Sequence, residues 1–363
     1  MTGNAAVVRY DEIDADWLTA ALTASGTLAG GARVVDAQRE TCGTGQLADS
    51  FRFRLRYEPD GAGPETVVGK FPSDDAASRD FGQRSGYYRN EIRFYEEIAP
   101  TLSIAVPTPL HAALAANETD FVLLMEDLSP ARVVDQIEGA SADEAARVLE
   151  QIAAVHAGTW GRADLAQVAW LKGTSTSFTA VSDGFGDLIA GFADTYGDLI
   201  PAGDVAEAGR LIDHLDAWKA ILNEPRCLWH SDLRADNVLF DAVGGRWPVA
   251  LLDWQGVGFG PGVSDVSYFL GTSLDAETRR GHERDLVGVY HGALVAGGVE
   301  GYSAEQCWEE YRLLAAFPLQ VGVFGLGAVR RSERGDRMWR NWIERSATQT
   351  RDLESFALLA ARS

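Results

Sequence analysis

Cys227–Gln255 reads CLWHSDLRADNVLFDAVGGRWPVALLDWQ. Within it, His230-Ser-Asp232-Leu-Arg234-Ala-Asp236-Asn237 packs ionisable and amide groups into a short loop between two apolar runs. Asp253 closes the second run, Val249–Leu252. A carboxylate at the end of a buried strand is costly unless it meets a cation, a metal or a hydrogen-bond donor. Asn237 and Asp253 both offer oxygen. That suits a hard cation such as Mg2+, which is held by few protein ligands together with phosphate oxygens. Downstream lie Gly260-Pro261-Gly262 and Asp265-Val-Ser-Tyr268-Phe269-Leu270.

Outward from this segment the chain divides by pattern. Upstream, Ser50–Tyr57 (SFRFRLRY) alternates Phe51, Phe53, Leu55 and Tyr57 with three arginines, a half-buried strand with a basic outer face. Thr66–Phe71 reads as a second strand. Leu110–Ala115 and Phe121–Glu126 read as a hairpin turning at Asn117–Asp120. Residues 14–25 read as a short helix stopped by Gly26, and residues 83–98 carry helical spacing. Past Asp127 helices dominate. Ser141-x-x-Glu144 opens one over 141–160 as a capping box, and further patterns fall at 205–222, 264–274, 278–296, 304–317 and 336–360. The expected architecture is α+β and two-lobed. An antiparallel-sheet lobe with one major helix (1–127) precedes a mainly helical lobe (128–363).

HSDLRADN is similar to the H-R-D-L-K-x-x-N catalytic loop of protein kinases, with Asp253 in the place of the Asp of D-F-G. The closer resemblance is to the aminoglycoside-phosphotransferase-like and ecdysteroid-kinase-like (choline-kinase-related) small-molecule kinases. Their pattern runs H-G-D-x-x-x-x-N, an apolar strand into D-W-Q, then G-P-G and an Asp opening a helix. The resemblance extends in order over nearly the whole chain. It implies a protein-kinase-like fold and transfer of the γ-phosphoryl group of ATP (or GTP), with Mg2+, to a small-molecule hydroxyl. Asp232 would accept or orient the hydroxyl proton. Asn237 and Asp253 would hold the metal. Arg234 would neutralise charge on the transferred group, His230 would brace the loop, and Asp265 would cap its helix and tie down the loop backbone.

The same resemblance assigns the first lobe to the nucleotide. Lys70, at the end of its strand, would pair with Glu91, a carboxylate on an otherwise apolar helix face. Gly43 and Gly45 lie in the loop before the strongest strand, fewer glycines than G-x-G-x-x-G requires. Leu123–Leu128, with Glu126 and Leu128, matches the segment where a base meets the backbone.

Several residues carry a plainer reading as well. Arg234 fits an ion pair with Asp236 or a neighbouring acid, and Gly43 and Gly45 fit an ordinary hairpin turn. His156 reads as a packed helix histidine. Trp254, Tyr268, Trp339 and Trp342 read as core or lobe packing, the last two also as an aromatic wall. Two other functions stay open. An aminoglycoside is the alternative acceptor, and a non-catalytic nucleotide-binding module is the alternative class. A protein acceptor is disfavoured because Trp254–Gly262 leaves no room for an activation loop.

Composition narrows the partners. The 363 residues carry 32 Lys+Arg against 53 Asp+Glu, a formal net charge of −21. Such a chain repels nucleic acid and anionic lipid. The three cysteines, Cys42, Cys227 and Cys307, form no C-x-x-C pair, which fits a reducing cytoplasm. The opening MTGNAAVVRYDEIDADW lacks a basic start followed by an apolar run, so no signal peptide is expected. Leu313–Val329 carries Pro318, Gln320 and glycines, and reads as buried core rather than a membrane span.

Overall fold

The computed structural model describes residues 7–43, 45, 47–172, 183–224, 226–328 and 331–362. The chain forms two units by contact. One takes residues up to Leu102 with Val106–Ala131, and the other takes Ser103–Ala105 with Arg132 onward.

The first unit is built on a five-stranded antiparallel sheet of order β1-β2-β3-β5-β4. The strands are β1 (Arg33–Thr41), β2 (Ala48–Glu58), β3 (Thr66–Pro72), β4 (Pro109–Leu114) and β5 (Phe121–Glu126). The alternation in β2 does what its period requires. Phe53, Leu55 and Tyr57 are buried with Val67, Phe71, Val122 and Leu124, against Leu18, Ala21 and Leu22 of α1 (Ala15–Ala24). Arg54 and Arg56 stay exposed. Asn117 makes the β4–β5 turn, its Oδ1 accepting the Thr119 and Asp120 amides.

Two features of this unit depart from the sequence expectation. Strand β1 has no amphipathic signal, because only Val34 in it is buried. The helix expected over 83–98 is divided. α2 (Ala76–Arg84) ends before Gly86, which sits at φ 71, and α3 (Tyr87–Arg93) begins there before a π-turn at Phe94–Ile98. A left-handed residue interrupts the helical ladder, and glycine takes that conformation without strain.

The second unit opens with α4 (Ala142–Thr159), whose Ser141–Glu144 capping box is formed. α4 lies along the helix Ala276–Ala296. The helix Val263–Ser273 is buried over its whole length and packs on Glu333–Asp352. The pattern at 336–360 is two helices, Glu333–Asp352 and Ser355–Ala360, separated at Glu354 with φ 54. Most of the apolar stretch lies in the helix Phe317–Ala328, with Phe317, Leu319, Val323 and Leu326 buried; Val329 lies outside the described residues. Among the described residues no helix is long and apolar enough to cross a membrane.

Short strands in this unit carry the decisive segment. β6 (Arg132–Val133), β8 (Val238–Asp241) and β9 (Trp247–Leu251) form one sheet. β7 (Cys227–Trp229) pairs with β10 (Gly258–Gly260) in another. The Leu251 amide, at the end of β9, donates to the Ala105 carbonyl at 3.1 Å.

Candidate active site

The β8–β9 hairpin explains the spacing of the sequence motif. Asn237 stands just before β8 and Asp253 just after β9, so antiparallel pairing returns one to the other. The Leu252 amide closes the pair by donating to the Asn237 carbonyl at 2.9 Å. The Asn237 side-chain NH2 donates to the Asp232 carbonyl and to its Oδ2, each at 2.9 Å. The amide nitrogen is thus committed, and Asn237 presents its Oδ1. With the Asp253 carboxylate this makes a pair of hard oxygen donors, the chemistry Mg2+ takes. Among the described residues no group of three or more His, Cys, Asp or Glu forms a metal site by itself.

Asp232 is the best-defined side chain of the loop. Its Oδ1 accepts the Tyr268 hydroxyl at 2.8 Å and its Oδ2 accepts Asn237, leaving the side chain 22% exposed. Burial, reinforced by the nearby Asp253 charge, holds the Asp232 carboxyl above the usual range despite Arg234 and the Tyr268 hydrogen bond. Arg234 Nε lies 3.4 Å from Asp232, and its Nη1 lies 2.9 Å from Asp236. Burial alone would lower the Arg234 pKa; Asp232 and Asp236 raise it. The ion-pair reading of Arg234 is therefore realised.

The loop backbone is anchored from beneath. Asp265, fully buried, accepts the His230 amide at 2.7 Å on Oδ2 and the Ser231 amide at 2.8 Å on Oδ1. It does not cap its helix as expected. The N-cap is Gly262, with no side-chain cap bond, because both Asp265 oxygens face the loop. His230 Nε2 lies 2.9 Å from the Leu252 carbonyl while its Nδ1 lies 3.3 Å from the Asp232 amide. The carbonyl partner makes Nε2 the donor, and the amide partner makes Nδ1 the acceptor. Ser231 and Asp253 sit at φ 65 and φ 64. Such backbone costs about 1–3 kcal/mol per residue and concentrates at functional sites.

In the first unit, Lys70 Nζ lies 2.8 and 2.7 Å from the two Glu91 oxygens, and both side chains are buried. Gly43, at φ 80, and Gly45 lie in the β1–β2 turn; Thr44 and Gln46 fall outside the described residues. A Cβ on Gly45 would stand 2.8 Å from the Ala48 carbonyl, so the turn requires glycine there. Glu126 ends β5 with its carboxylate on the Thr108 hydroxyl at 2.8 Å, and Leu128 is buried.

The model of the phosphotransferase enzyme family matches residues 61–314, more than half of the chain. The chain belongs to that family. Two solved structures share its fold. One is the GDP and kanamycin complex of an aminoglycoside phosphotransferase, APH(2'')-IIIa. It has a TM-score of 0.51 and 13% identity over 88% of this chain and 94% of the other. The second is a Plasmodium vivax ethanolamine kinase, with a TM-score of 0.50 and 10% identity over 90% and 83%. No curated protein sequence matches the chain. At these identities the two structures carry the kinase-like fold alone.

Three side chains of this phosphotransferase, two beside the His230–Asn237 loop and one in the first unit, make supporting hydrogen bonds that the sequence motifs do not assign. Tyr268 bonds Asp232 directly. His156 on α4 bridges Asp265 at 3.2 Å and the Tyr290 hydroxyl at 2.8 Å, so the packed histidine is also part of the loop's support. Tyr88 on α3 donates to the Leu47 carbonyl in the β1–β2 turn at 2.6 Å. Trp342 stands 5.3 Å edge-on to Tyr268 and 4.9 Å from Trp339, both tryptophans being buried.

Proposed function

We propose that this phosphotransferase moves the γ-phosphoryl group of ATP, or of GTP, to a hydroxyl of a small metabolite. The first lobe, residues 1–127, would bind the nucleotide, and the second, residues 128–363, would carry the catalytic loop and the acceptor site. The helical inserts 161–215 and 275–363 would set acceptor choice; residues 173–182 of the first insert lie outside the described residues.

The observation that carries the reading is the Asp232 carboxylate. It is held on one oxygen by Tyr268 and on the other by Asn237, and Arg234 flanks Oδ1. A carboxylate has about four in-plane acceptor positions. An in-plane position of Oδ2 beyond the one Asn237 occupies would take the acceptor's hydroxyl proton. Orienting that hydroxyl for in-line attack is the larger part of the work, since a carboxylate is a weak base. Lys70, fixed by Glu91, would steady the phosphates. Arg234 adds positive charge already balanced by Asp232 and Asp236. Asn237 Oδ1 and Asp253 would hold Mg2+, which when bound neutralises phosphate charge.

The test is an ATP-consumption screen against a panel of hydroxylated metabolites, aminoglycosides included, with Asp232→Ala and Asp253→Ala as controls. The expected result is acceptor-dependent consumption that falls roughly 10²–10⁴-fold in both variants. Equal consumption by the wild type and both variants would sink the proposal.

A further inference from the structure

We propose that the Arg52 guanidinium is the platform on which the nucleotide's base stacks; this deepens the nucleotide reading above and rests on it. The strand registers make the argument. Directly opposed residues of antiparallel strands point to one face of the sheet. The β2–β3 pairs Ser50↔Lys70 and Arg52↔Val68, with the β3–β5 pairs Lys70↔Leu123 and Val68↔Met125, put these residues on one face. The other face is filled by Phe53, Val67, Leu124 and the core they join. The Lys70 face therefore runs from a fixed ammonium group, past the half-buried Val68 and the buried Leu123 and Met125, to Arg52. A nucleoside triphosphate has the same order, with phosphates at the cationic end and a planar base on the apolar part.

Arg52 is built for that place. Its Nε donates to Asp127 Oδ2 at 2.7 Å, its Nη2 to Ser129 Oγ at 2.8 Å, and its Nη1 approaches Glu40 Oε1 at 3.4 Å. The Asp127 side chain is only 4% exposed, whereas Arg52 is 30% exposed. Hydrogen bonds to a guanidinium lie in its plane, so this anchoring fixes the edges and leaves the faces for a ring. A planar, weakly hydrated guanidinium stacks on aromatic faces, and an ammonium does not replace it. Arg52 opposes Val68 in register, which places it on the same sheet face as the apolar stretch on which a base would rest.

The experiment compares two ligands by calorimetry on the full chain. One is MgATP; the other is magnesium tripolyphosphate, which has the phosphates without the base. Arg52→Gln removes charge and plane, while Arg52→Lys keeps the charge and loses the plane. Both variants should bind MgATP about five- to tenfold more weakly than wild type, in line with a stacking contact. Both should bind tripolyphosphate within about twofold of wild type. Unchanged MgATP affinity overturns the inference, and so does a parallel loss for tripolyphosphate, which would make Arg52 a charge contact. A wild-type chain that binds neither ligand removes the nucleotide reading and Arg52's role together. Wild-type binding with intact variant binding removes only Arg52's role.

Discussion

Tyr268 is a residue whose chemistry its type does not announce. Its ring packs against Phe317 and Trp342, yet its hydroxyl lies 2.8 Å from Asp232 Oδ1. Tyr268→Phe keeps the ring and deletes one hydrogen bond to a charged group, an interaction of about 1.5–3 kcal/mol. With an accepted substrate, kcat should fall roughly tenfold or more, while KM for the nucleotide stays within about twofold. An unchanged kcat in steady-state assays would assign Tyr268 to packing alone. Asp232, Asn237 and Asp253 were legible because carboxylate and amide groups beside apolar runs need partners. Tyr268 and His156 were not, because an aromatic or imidazole ring on an amphipathic helix already has a reason to be buried. One signal was available: Tyr268 follows Asp265 by three residues, so both share the helix face that meets the loop.

At the scale of elements, close approach explains what the glycines do. A Cβ on Gly262 would collide with Cys227 Sγ and lie 2.9 Å from His156 Nδ1, and one on Gly256 would collide with Ser231 Oγ. Both glycines border the strand and turn that fix the His230–Asn237 loop. Gly262→Ala should destabilise the fold by about 1–3 kcal/mol, read as a lower denaturant midpoint at unchanged slope. A midpoint equal to wild type would mean the helix and β7 move apart freely. Strand β2 was legible from its alternation and α4 from its capping box. Strand β1 was not: it is an edge strand with solvent on most side chains, so register with β2, not burial, defines it. Nor was the division at Gly86, since an isolated glycine inside a helical pattern leaves the periodicity intact.

For the whole molecule, the net charge of −21 sets a condition on any triphosphate ligand. The two cations assigned to the phosphates are already paired, Lys70 with Glu91 in the first unit and Arg234 with Asp232 and Asp236 in the second. Nucleotide affinity should therefore depend on the divalent metal. Chelation with EDTA is expected to weaken ATP binding by at least about tenfold, measured by calorimetry at constant ionic strength. Tight ATP binding in EDTA would contradict this. The acceptor's own charge does not follow from this figure, because surface acids need not line a cleft.

The contact between Leu251 and Ala105 bears on whether the molecule can be divided. Residues 103–105 belong to the helical unit although the chain returns afterwards to the sheet unit, so the backbone passes between the two three times. A chain begun at Arg132 would lack Ala105 and leave the buried Leu251 amide without its acceptor, two residues before Asp253. An orphaned buried amide costs about 1–3 kcal/mol. The helical unit is thus not a separable module. A cut at residue 131 would be felt at the carboxylate proposed to bind the metal, and shuffling this half onto another sheet domain would have to carry the 103–105 segment with it.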